Sequence, residues 1–362
     1  MPRDTCYIPL IIMAFWVSSL AAFGQGQARK YSNEFMFLGV GARGIGMGQT
    51  QVAIASDATS GYWNPANLMD AKRDHEFGLM HTEYFSGIGK YDFVGFSTKL
   101  DSLSRVGVTV IRFGVDDIPD TRFLYDANGA LNYDNVRFFS ASDYGILFSY
   151  AHQPRKIKHL TWGGNIKIIH RSVGKFANAW GFGLDFAMRY RKKGTSIGLV
   201  AKDFTGTFNA WTHNSELLHD AFAVTGNEIP ESSTEVTLPR LMIGVAQKVN
   251  IGQSMYILAS ADLEATFDGQ RNTLLASDLI SFDPRFGLEV MVKNVVFIRF
   301  GANQFQELTT LDGGTTQSNR LSTGIGVKLK NIDLDYALAD FGNQSLGLKS
   351  HVISISFGLD QK

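Results

Sequence analysis

Strict alternation of apolar and polar residues recurs from His75 to the C-terminus, and it constrains the fold more than any other feature of this sequence. Successive side chains of a β-strand point to opposite faces, so alternation indicates strands with one apolar face. Residues 181–191 give an example, with large apolar side chains on one face and glycine, alanine or charged side chains on the other. That apolar face carries Phe182, Leu184, Phe186, Met188 and Tyr190. The sequence therefore predicts an all-β fold.

The lengths of the connections decide which all-β fold is expected. The alternation predicts about fourteen strands, near residues 75–85, 90–100, 105–115, 143–152, 160–173, 180–191, 195–204, 238–249, 254–266, 283–293, 295–305, 320–331, 332–342 and 349–360. Tight turns alternate with connections that include the long ones at 116–142, 205–237, 267–282 and 306–319. An even strand number with short periplasmic turns and longer outer loops is typical of outer-membrane barrels. We therefore predict a transmembrane barrel of about fourteen antiparallel strands over residues 75–362.

The N-terminus has the sequence features of a leader. Arg3 precedes an apolar run, residues 8–23, which ends in small residues before Gly24. A charged start, a short apolar core and small residues near a cleavage site are typical of a secretory signal peptide. We predict a signal peptide over residues 1–24, cleavage after Gly24 and a location in the bacterial outer membrane. No later stretch has eighteen uninterrupted apolar residues, so we expect the chain to span the membrane with strands.

Composition and motifs argue against several classes of function. The chain has 34 Lys and Arg residues and 34 Asp and Glu residues, whereas a nucleic-acid surface needs a basic excess. The single cysteine, Cys6, lies in the predicted leader, and the histidines show no metal-ligand spacing. No serine lies in a G-x-S-x-G motif. We expect no enzyme, cofactor or nucleic-acid partner; calcium at the aspartates of the first long loop stays an open alternative.

Residues 35–68 differ from the rest of the chain because they are rich in glycine and almost free of charge. Their Gly39–Gly44 stretch matches G-x-G-x-x-G, but a dinucleotide fold would require alternating strands and helices around it. The glycines instead favour close backbone packing in a confined space. We predict that residues 25–74 form a hatch in the barrel lumen. Its candidate residues are Gly41, Arg43, Gly46, Gly48, Asp57, Trp63, Asn64 and Pro65.

Arg43 needs a partner if it lies inside the barrel, because an unpaired buried charge is costly. The candidate partners are the carboxylates predicted to face the lumen, and the alternative is an arginine exposed to water. These candidates are Asp185, Glu289, Asp333 and Asp335.

Two further segments are candidates for moving parts. An apolar run at 217–223, within the long loop 205–237, predicts a short helix that serves as a lid or partner contact, or simply caps the barrel mouth. The Trp162-Gly163-Gly164 stretch is a candidate for a kinked strand that opens the barrel wall sideways.

Four short motifs between residues 41 and 66 resemble the PorV/PorQ family of Bacteroidota outer-membrane proteins. They are Gly41-Ala42-Arg43-Gly44, Gly46-Met47-Gly48, Ser56-Asp57-Ala58 and Tyr62-Trp63-Asn64-Pro65-Ala66. The segment is also similar, more distantly, to the N-terminal plug of the FadL long-chain fatty-acid transporters. The resemblance covers about thirty residues and implies a FadL-like barrel of fourteen strands with an N-terminal hatch.

The resemblance also implies two alternative functions. PorV and PorQ serve type IX secretion, in which PorV binds folded cargo; this implies a non-enzymatic component that binds secretion-system proteins or secreted cargo at the barrel mouth. A FadL-like protein would instead be a passive channel for small hydrophobic molecules such as long-chain fatty acids. In both cases outer-membrane lipid surrounds the barrel.

Overall fold

The computed structural model describes residues 32–126, 128–225, 232–309, 312–340 and 349–360. The predicted signal peptide, residues 1–24, lies outside the described residues, as do the first seven residues of the predicted 25–74 segment.

One antiparallel sheet contains every described strand. The strands are β1 (His75–Tyr84), β2 (Gly89–Asp101), β3 (Ser104–Asp120), β4 (Arg137–His152), β5 (Leu160–Val173), β6 (Ala177–Lys192), β7 (Thr195–Lys202), β8 (Thr207–His213), β9 (Ser232–Thr237), β10 (Arg240–Ile251), β11 (Met255–Thr266), β12 (Leu275–Ala276), β13 (Ser281–Val292), β14 (Val296–Thr309), β15 (Thr315–Leu329), β16 (Ile332–Asp340) and β17 (Lys349–Leu359).

Fourteen of these strands form a closed ring, which confirms the predicted barrel. Each pairs with the strand next to it in sequence, except that β7 pairs with β10 and β11 with β13. The first strand then pairs with the last, His75 lying opposite Leu359, so the ring has no free edge. The remaining strands, β8, β9 and β12, lie in the connections.

The apolar face of the strands points away from the ring. On β6, Phe182 is 53% exposed and Phe186 is 41% exposed, whereas the residues that alternate with this apolar face, such as Asp185, face inward, and Asp185 is only 4% exposed. A water-soluble barrel would show the opposite arrangement, with apolar residues inside. An apolar exterior around a polar interior is the pattern of a barrel that spans a lipid bilayer.

Several strands are longer than the alternation predicts, mainly at the end of the barrel that carries the long loops. β3 continues to Asp120 and β4 begins at Arg137, six residues before the predicted start at 143. β8 and β9 lie within the predicted loop 205–237. Outside the lipid, a strand needs no apolar outer face, and bulges such as that between Val115 and Ile118 shift the period. The apolar alternation therefore ends before the strands end on the side of the long loops.

Short helices occupy the remaining segments. α1 (Ala42–Gly46) and α2 (Ser60–Trp63) precede the barrel, together with 3-10 turns at Glu34–Phe37 and Pro65–Asp70. α3 (Ser215–Thr225) contains the apolar run for which a helix is predicted, and Tyr133–Asn135 is a 3-10 turn. Among the described residues, no helix is long and apolar enough to cross a membrane.

Candidate functional site: a lumenal segment and a charged cavity

Residues 32–74, here called the lumenal segment, contact inward-facing side chains around the whole ring. Four hydrogen bonds to β17, β15, β11 and β5 illustrate this. They are Ala42 N to Ser354 Oγ at 3.0 Å, Gly48 N to Ser322 Oγ at 3.2 Å, Val52 N to Asp262 Oδ2 at 2.9 Å, and Asn165 Nδ2 to Gly61 O at 2.9 Å. Because these strands lie on different sides of the barrel, the segment lies within it.

Glycines allow the lumenal segment to approach the wall closely. Gly48 has φ = +62°, and a Cβ atom there would lie 2.7 Å from Ala302 N. A Cβ atom on Gly301 would in turn collide with the backbone of Gly48, and one on Gly46 would lie 3.1 Å from Gly324 Cα. Gly41 has φ = +77°, a conformation that residues with a Cβ rarely adopt. Two backbones therefore touch where both carry glycine.

The Trp63-Asn64-Pro65 turn is held by hydrogen bonds within the segment. Asn64 Oδ1 accepts from Ala66 N at 3.0 Å and its Nδ2 donates to Val52 O at 2.7 Å. Trp63 Nε1 donates to Val40 O at 3.1 Å. Asn64 therefore caps the 3-10 turn that starts at Pro65, as asparagine does at helix N-termini, and joins two parts of the segment.

An ion pair joins Arg43 to the wall. Arg43 Nε donates to Glu289 Oε2 at 2.9 Å, and Nη2 donates to Oε1 at 3.2 Å. The fully buried Glu289 also accepts from Arg299 Nε at 2.7 Å and from Tyr256 Oη at 2.8 Å. Burial alone would lower the pKa of Arg43, but the Glu289 carboxylate raises it above its ordinary value. Arg43 is therefore charged, and its partner is satisfied by three donors.

The other three candidate carboxylates face inward but do not hold Arg43. Asp335 Oδ1 accepts from Arg299 Nη1 at 2.6 Å and thus extends the Glu289 network. Asp185 lies 2.8 Å from Lys167 Nζ, which also contacts Asp203. Asp333 pairs with Lys328 in the β15–β16 register. Alternation fixes the face on which a carboxylate lies, but not its position around the ring.

Asp57 bonds within the segment instead of to the wall. Its Oδ1 accepts from Thr59 N at 2.8 Å and from Thr59 Oγ1 at 2.5 Å, just before α2.

One face of the lumenal segment is apolar and packs against β1–β5. The buried side chains Phe35, Met36, Tyr62 and Trp63 of the segment belong to one cluster with apolar side chains of these strands. The strand members include Met80, Tyr91, Phe93, Ile111, Leu147 and Ile169. The interface between segment and wall is thus apolar on this side, in contrast to the ionic contacts near Glu289.

A cavity of about 390 Å³ lies between the lumenal segment and the end of the barrel that carries the short turns. Gly194, Lys330 and Asn331, which belong to these turns, line its opening. Its wall is strongly charged, with Arg43, Lys72, Arg73, Arg191, Lys248, Arg299, Lys328 and Lys330 as cations and Asp57, Asp70, Glu76, Glu289, Asp333 and Asp335 as anions. The cavity is thus suited to water and charged groups.

The wall is interrupted between β7 and β8. On β6, Phe186 pairs with Ala201 of β7 and Phe182 pairs with Phe208 of β8, so three β6 residues lie opposite six residues, 202–207. One backbone hydrogen bond, Phe204 N to Leu184 O at 3.0 Å, bridges the gap. Pro239, which has no N–H to donate, lies between β9 and β10, directly before Arg240, the partner of Lys202.

Both sides of this interruption carry aromatic side chains. On the lumen side, Lys202 Nζ lies 4.4 Å from the centroid of the Tyr62 ring and 5.3 Å from that of Phe37. On the outer side, Phe182, Phe186 and Phe208 are exposed. The Trp162-Gly163-Gly164 stretch is continuous instead, since β5 pairs with β4 and β6 along its length. The kink candidate from sequence is therefore wrong, because Gly163 packs against Pro65 and Ala66 of the lumenal segment.

No family model and no curated protein matches this chain. Solved structures do match. The chain is similar to the CymD monoaromatic hydrocarbon channel, with a TM-score of 0.57 and 14% identity over 90% of this chain and 98% of that one. It is also similar to the toluene transporters TbuX of Ralstonia pickettii (TM-score 0.53, 14% identity, 89% and 98% covered) and TodX of Pseudomonas putida (TM-score 0.52, 12% identity, 88% and 96% covered). At this identity the likeness shows the fold.

Proposed function

We propose that this protein is a passive channel for small hydrophobic molecules in the bacterial outer membrane. The observation that carries the proposal is the interruption of the wall between β7 and β8, with aromatic side chains on both of its sides. The shared fold with channels and transporters of aromatic hydrocarbons supports it. The alternative of the sequence analysis, a FadL-like channel, thereby becomes the preferred function, ahead of the PorV/PorQ type.

The charge of the lumen favours a sideways exit. An apolar molecule that continued along the bore would enter the cavity near Arg43 and Glu289, where it would displace water from charged groups. Leaving through the interruption between β7 and β8 would instead take it from the aromatic rings of Phe37 and Tyr62, past the buried Lys202, to the apolar exterior of the barrel. Such a transfer avoids the free-energy cost of exposing apolar surface to water.

A deletion of three residues tests this route. Removing Asp203, Thr205 and Gly206 leaves Lys202, Phe204 and Thr207 opposite three residues of β6, which restores a continuous ladder there. We expect uptake of radiolabelled toluene into cells or proteoliposomes to fall to the level of an empty control. A matched deletion of three residues in the loop at 121–136, remote from the wall, should leave uptake unchanged.

Two results would refute the proposal. One is uptake by the wild-type protein no faster than by liposomes without protein. The other is wild-type uptake by the deletion variant, provided that its heat-modifiable migration shows a folded barrel. A photoreactive aromatic probe on the wild-type protein gives an independent measurement, because we expect labelled peptides to contain Phe37 and Phe204.

Binding of proteins at the outer mouth, as the PorV/PorQ resemblance implies, is the second candidate. The loops at the mouth favour it, since they expose large apolar side chains that soluble loops usually lack. Tyr133 is 73% exposed and Leu279 is 77% exposed, and Phe123, Tyr125, Leu131, Leu274 and Leu275 are exposed nearby in sequence. These loops suit secretion-system proteins or secreted cargo.

Mild detergent extraction from the native membrane separates the two candidates. Stoichiometric partner proteins that are lost on replacing Tyr133 and Leu279 by serine would support docking. Extraction of the protein alone, with a bound hydrophobic small molecule, would support the channel.

A further inference from the structure

Four lysines of the cavity have no carboxylate partner. Among the described residues, no ion pair involves the ammonium groups of Lys72, Lys248, Lys328 or Lys330, although all four line the cavity. The arginines of the cavity differ from them, because Arg43 and Arg299 share Glu289, and Arg191 contacts Asp70 at 2.8 Å. The lysines therefore supply the positive charge that the wall itself does not neutralise.

These lysines lie close to one another and to Arg43. Burial lowers the pKa of Lys72, and the charges of Lys328 and Arg43 lower it further, so both of these cations lie within electrostatic range of Lys72. Lys248 Nζ lies 3.9 Å from the centroid of the Tyr256 ring, and Tyr256 donates to Glu289, the partner of Arg43. Lys72 and Lys248 thus both lie near the Arg43–Glu289 pair.

The unpaired carboxylates of the cavity are mostly occupied by backbone donors. Glu76 Oε1 accepts from Lys72 N at 2.7 Å and from Arg73 N at 3.1 Å, and Asp57 Oδ1 accepts from Thr59 N at 2.8 Å. Asp333 faces the cavity beside Lys328. With eight Lys and Arg residues and six Asp and Glu residues in its lining, the cavity keeps an excess of positive charge.

We propose that this cavity binds a phosphate-type oxyanion, coordinated by Lys72, Lys248 and Lys328, with Lys330 at its opening. Lysine is a flexible point charge with three hydrogen-bond donors. Several lysines together therefore match the charge of a doubly charged oxyanion better than they match the charge of a single carboxylate. The cavity volume of about 390 Å³ accommodates a phosphate with a small organic substituent. The shared chemistry is the phosphate group, whether free or as a lipid headgroup at the periplasmic side. This site does not depend on the channel function.

Isothermal titration calorimetry of the full chain in detergent tests the site with inorganic phosphate as the probe. We expect saturable binding that weakens as salt is added, because salt screens charge attraction. The double variant K72Q/K328Q should bind at least about tenfold more weakly, as expected when charge-assisted hydrogen bonds are lost. The control K156Q/K158Q removes two exposed lysines from a turn at the same end of the barrel and should bind like the wild type.

Dihexanoyl phosphatidic acid, a soluble lipid with a phosphate monoester headgroup, distinguishes the two sources. Tighter binding than inorganic phosphate identifies a lipid headgroup, and equal or weaker binding identifies free phosphate; both support the site. Absence of saturable phosphate binding by the wild-type protein overturns the proposal, and so does wild-type affinity of K72Q/K328Q. K248Q gives a second variant if the double variant does not fold. If the wild-type protein binds phosphate but takes up no toluene, the channel function alone is refuted.

Discussion

Arg43 of the lumenal segment lies 2.9 Å from Glu289 on β13, and the carboxylate it contacts is fully buried. A buried ion pair does not by itself stabilise a fold, since removing two charges from water costs about as much as their attraction returns. Its main effect is to disfavour other positions of the segment. If the segment left this position, Glu289 would keep only Arg299 and Tyr256 as partners. The pair therefore fixes the segment at one position in the lumen.

Replacing Arg43 tests this role. R43A leaves the buried carboxylate with one cation instead of two and removes its hydrogen bonds to Arg43, so we expect a loss of about 1.5–3 kcal/mol in the free energy of unfolding. The measurement is urea unfolding of the protein in vesicles, followed by tryptophan fluorescence. We also expect a higher single-channel conductance in planar bilayers, since the segment is no longer tied to β13.

Arg73 provides the matched control for R43A. Its ion pair with Asp360 has a similar length, 2.6 Å, but both side chains are about one third exposed or more. Exposed pairs contribute roughly 0–1 kcal/mol, so R73A should change neither unfolding nor conductance measurably. Equal effects of R43A and R73A would contradict a special role for Arg43.

Gly301 should tolerate no side chain. A Cβ atom there would meet the backbone of Gly48, which cannot rotate away as a flexible side chain could. We expect G301V to expose the lumenal segment, seen as faster cleavage within residues 32–74 by an added protease. A259V is the control, because Ala259 lies on the exposed face of β11. Equal cleavage of both variants would show that the contact between Gly48 and Gly301 does not hold the segment.

Asn64 should contribute more than Asn67, although both donate to Val52 O. N64A loses that bond and also the cap on Ala66 N, whereas N67A loses one bond. With about 1 kcal/mol for each hydrogen bond or cap, we expect losses near 2 and 1 kcal/mol in the free energy of unfolding. Urea unfolding of the two variants side by side is the measurement, and an effect of N67A as large as that of N64A would argue against the cap.

The proposed oxyanion site predicts a pH dependence with a definite sign. The Lys72 ammonium binds phosphate only while it is protonated, and its pKa is lowered from 10.5, first by burial and then by Lys328 and Arg43. Affinity for a phosphate monoester should therefore fall as the pH rises from 8 towards 10. In this range the ligand keeps its charge, since the second pKa of such esters is about 6.

Lys72→Arg is the control for this dependence, because an arginine stays charged throughout the range. Its affinity should fall less between pH 8 and 10, as measured by the same calorimetric titration. A constant affinity of the wild-type protein over this range would exclude Lys72 as a ligand of the oxyanion.

The differences between prediction and structure arise at particular places. The segment 205–237, predicted as a loop, contains β8, α3 and β9. The two strands are not predicted because strands beyond the lipid need no apolar outer face and so lack the alternation. The alternation also does not predict the wall interruption, although Thr205-Gly206 and Pro239 are recognisable as residues that weaken a ladder. Lys167, Asp185 and Asp203 form a buried network whose charges are visible in sequence, but whose proximity depends on the pairing of β5, β6 and the segment after β7.

The sequence by itself determined the all-β class, the number of strands in the barrel and the face on which each side chain lies. These properties are local, because alternation and turn residues act within one strand or one connection. Only the tertiary structure decided that Arg43 meets Glu289 and not Asp185, and that the ladder is interrupted after Lys202. These contacts depend on how the strands are staggered around a closed ring, and the stagger is a property of all strands together.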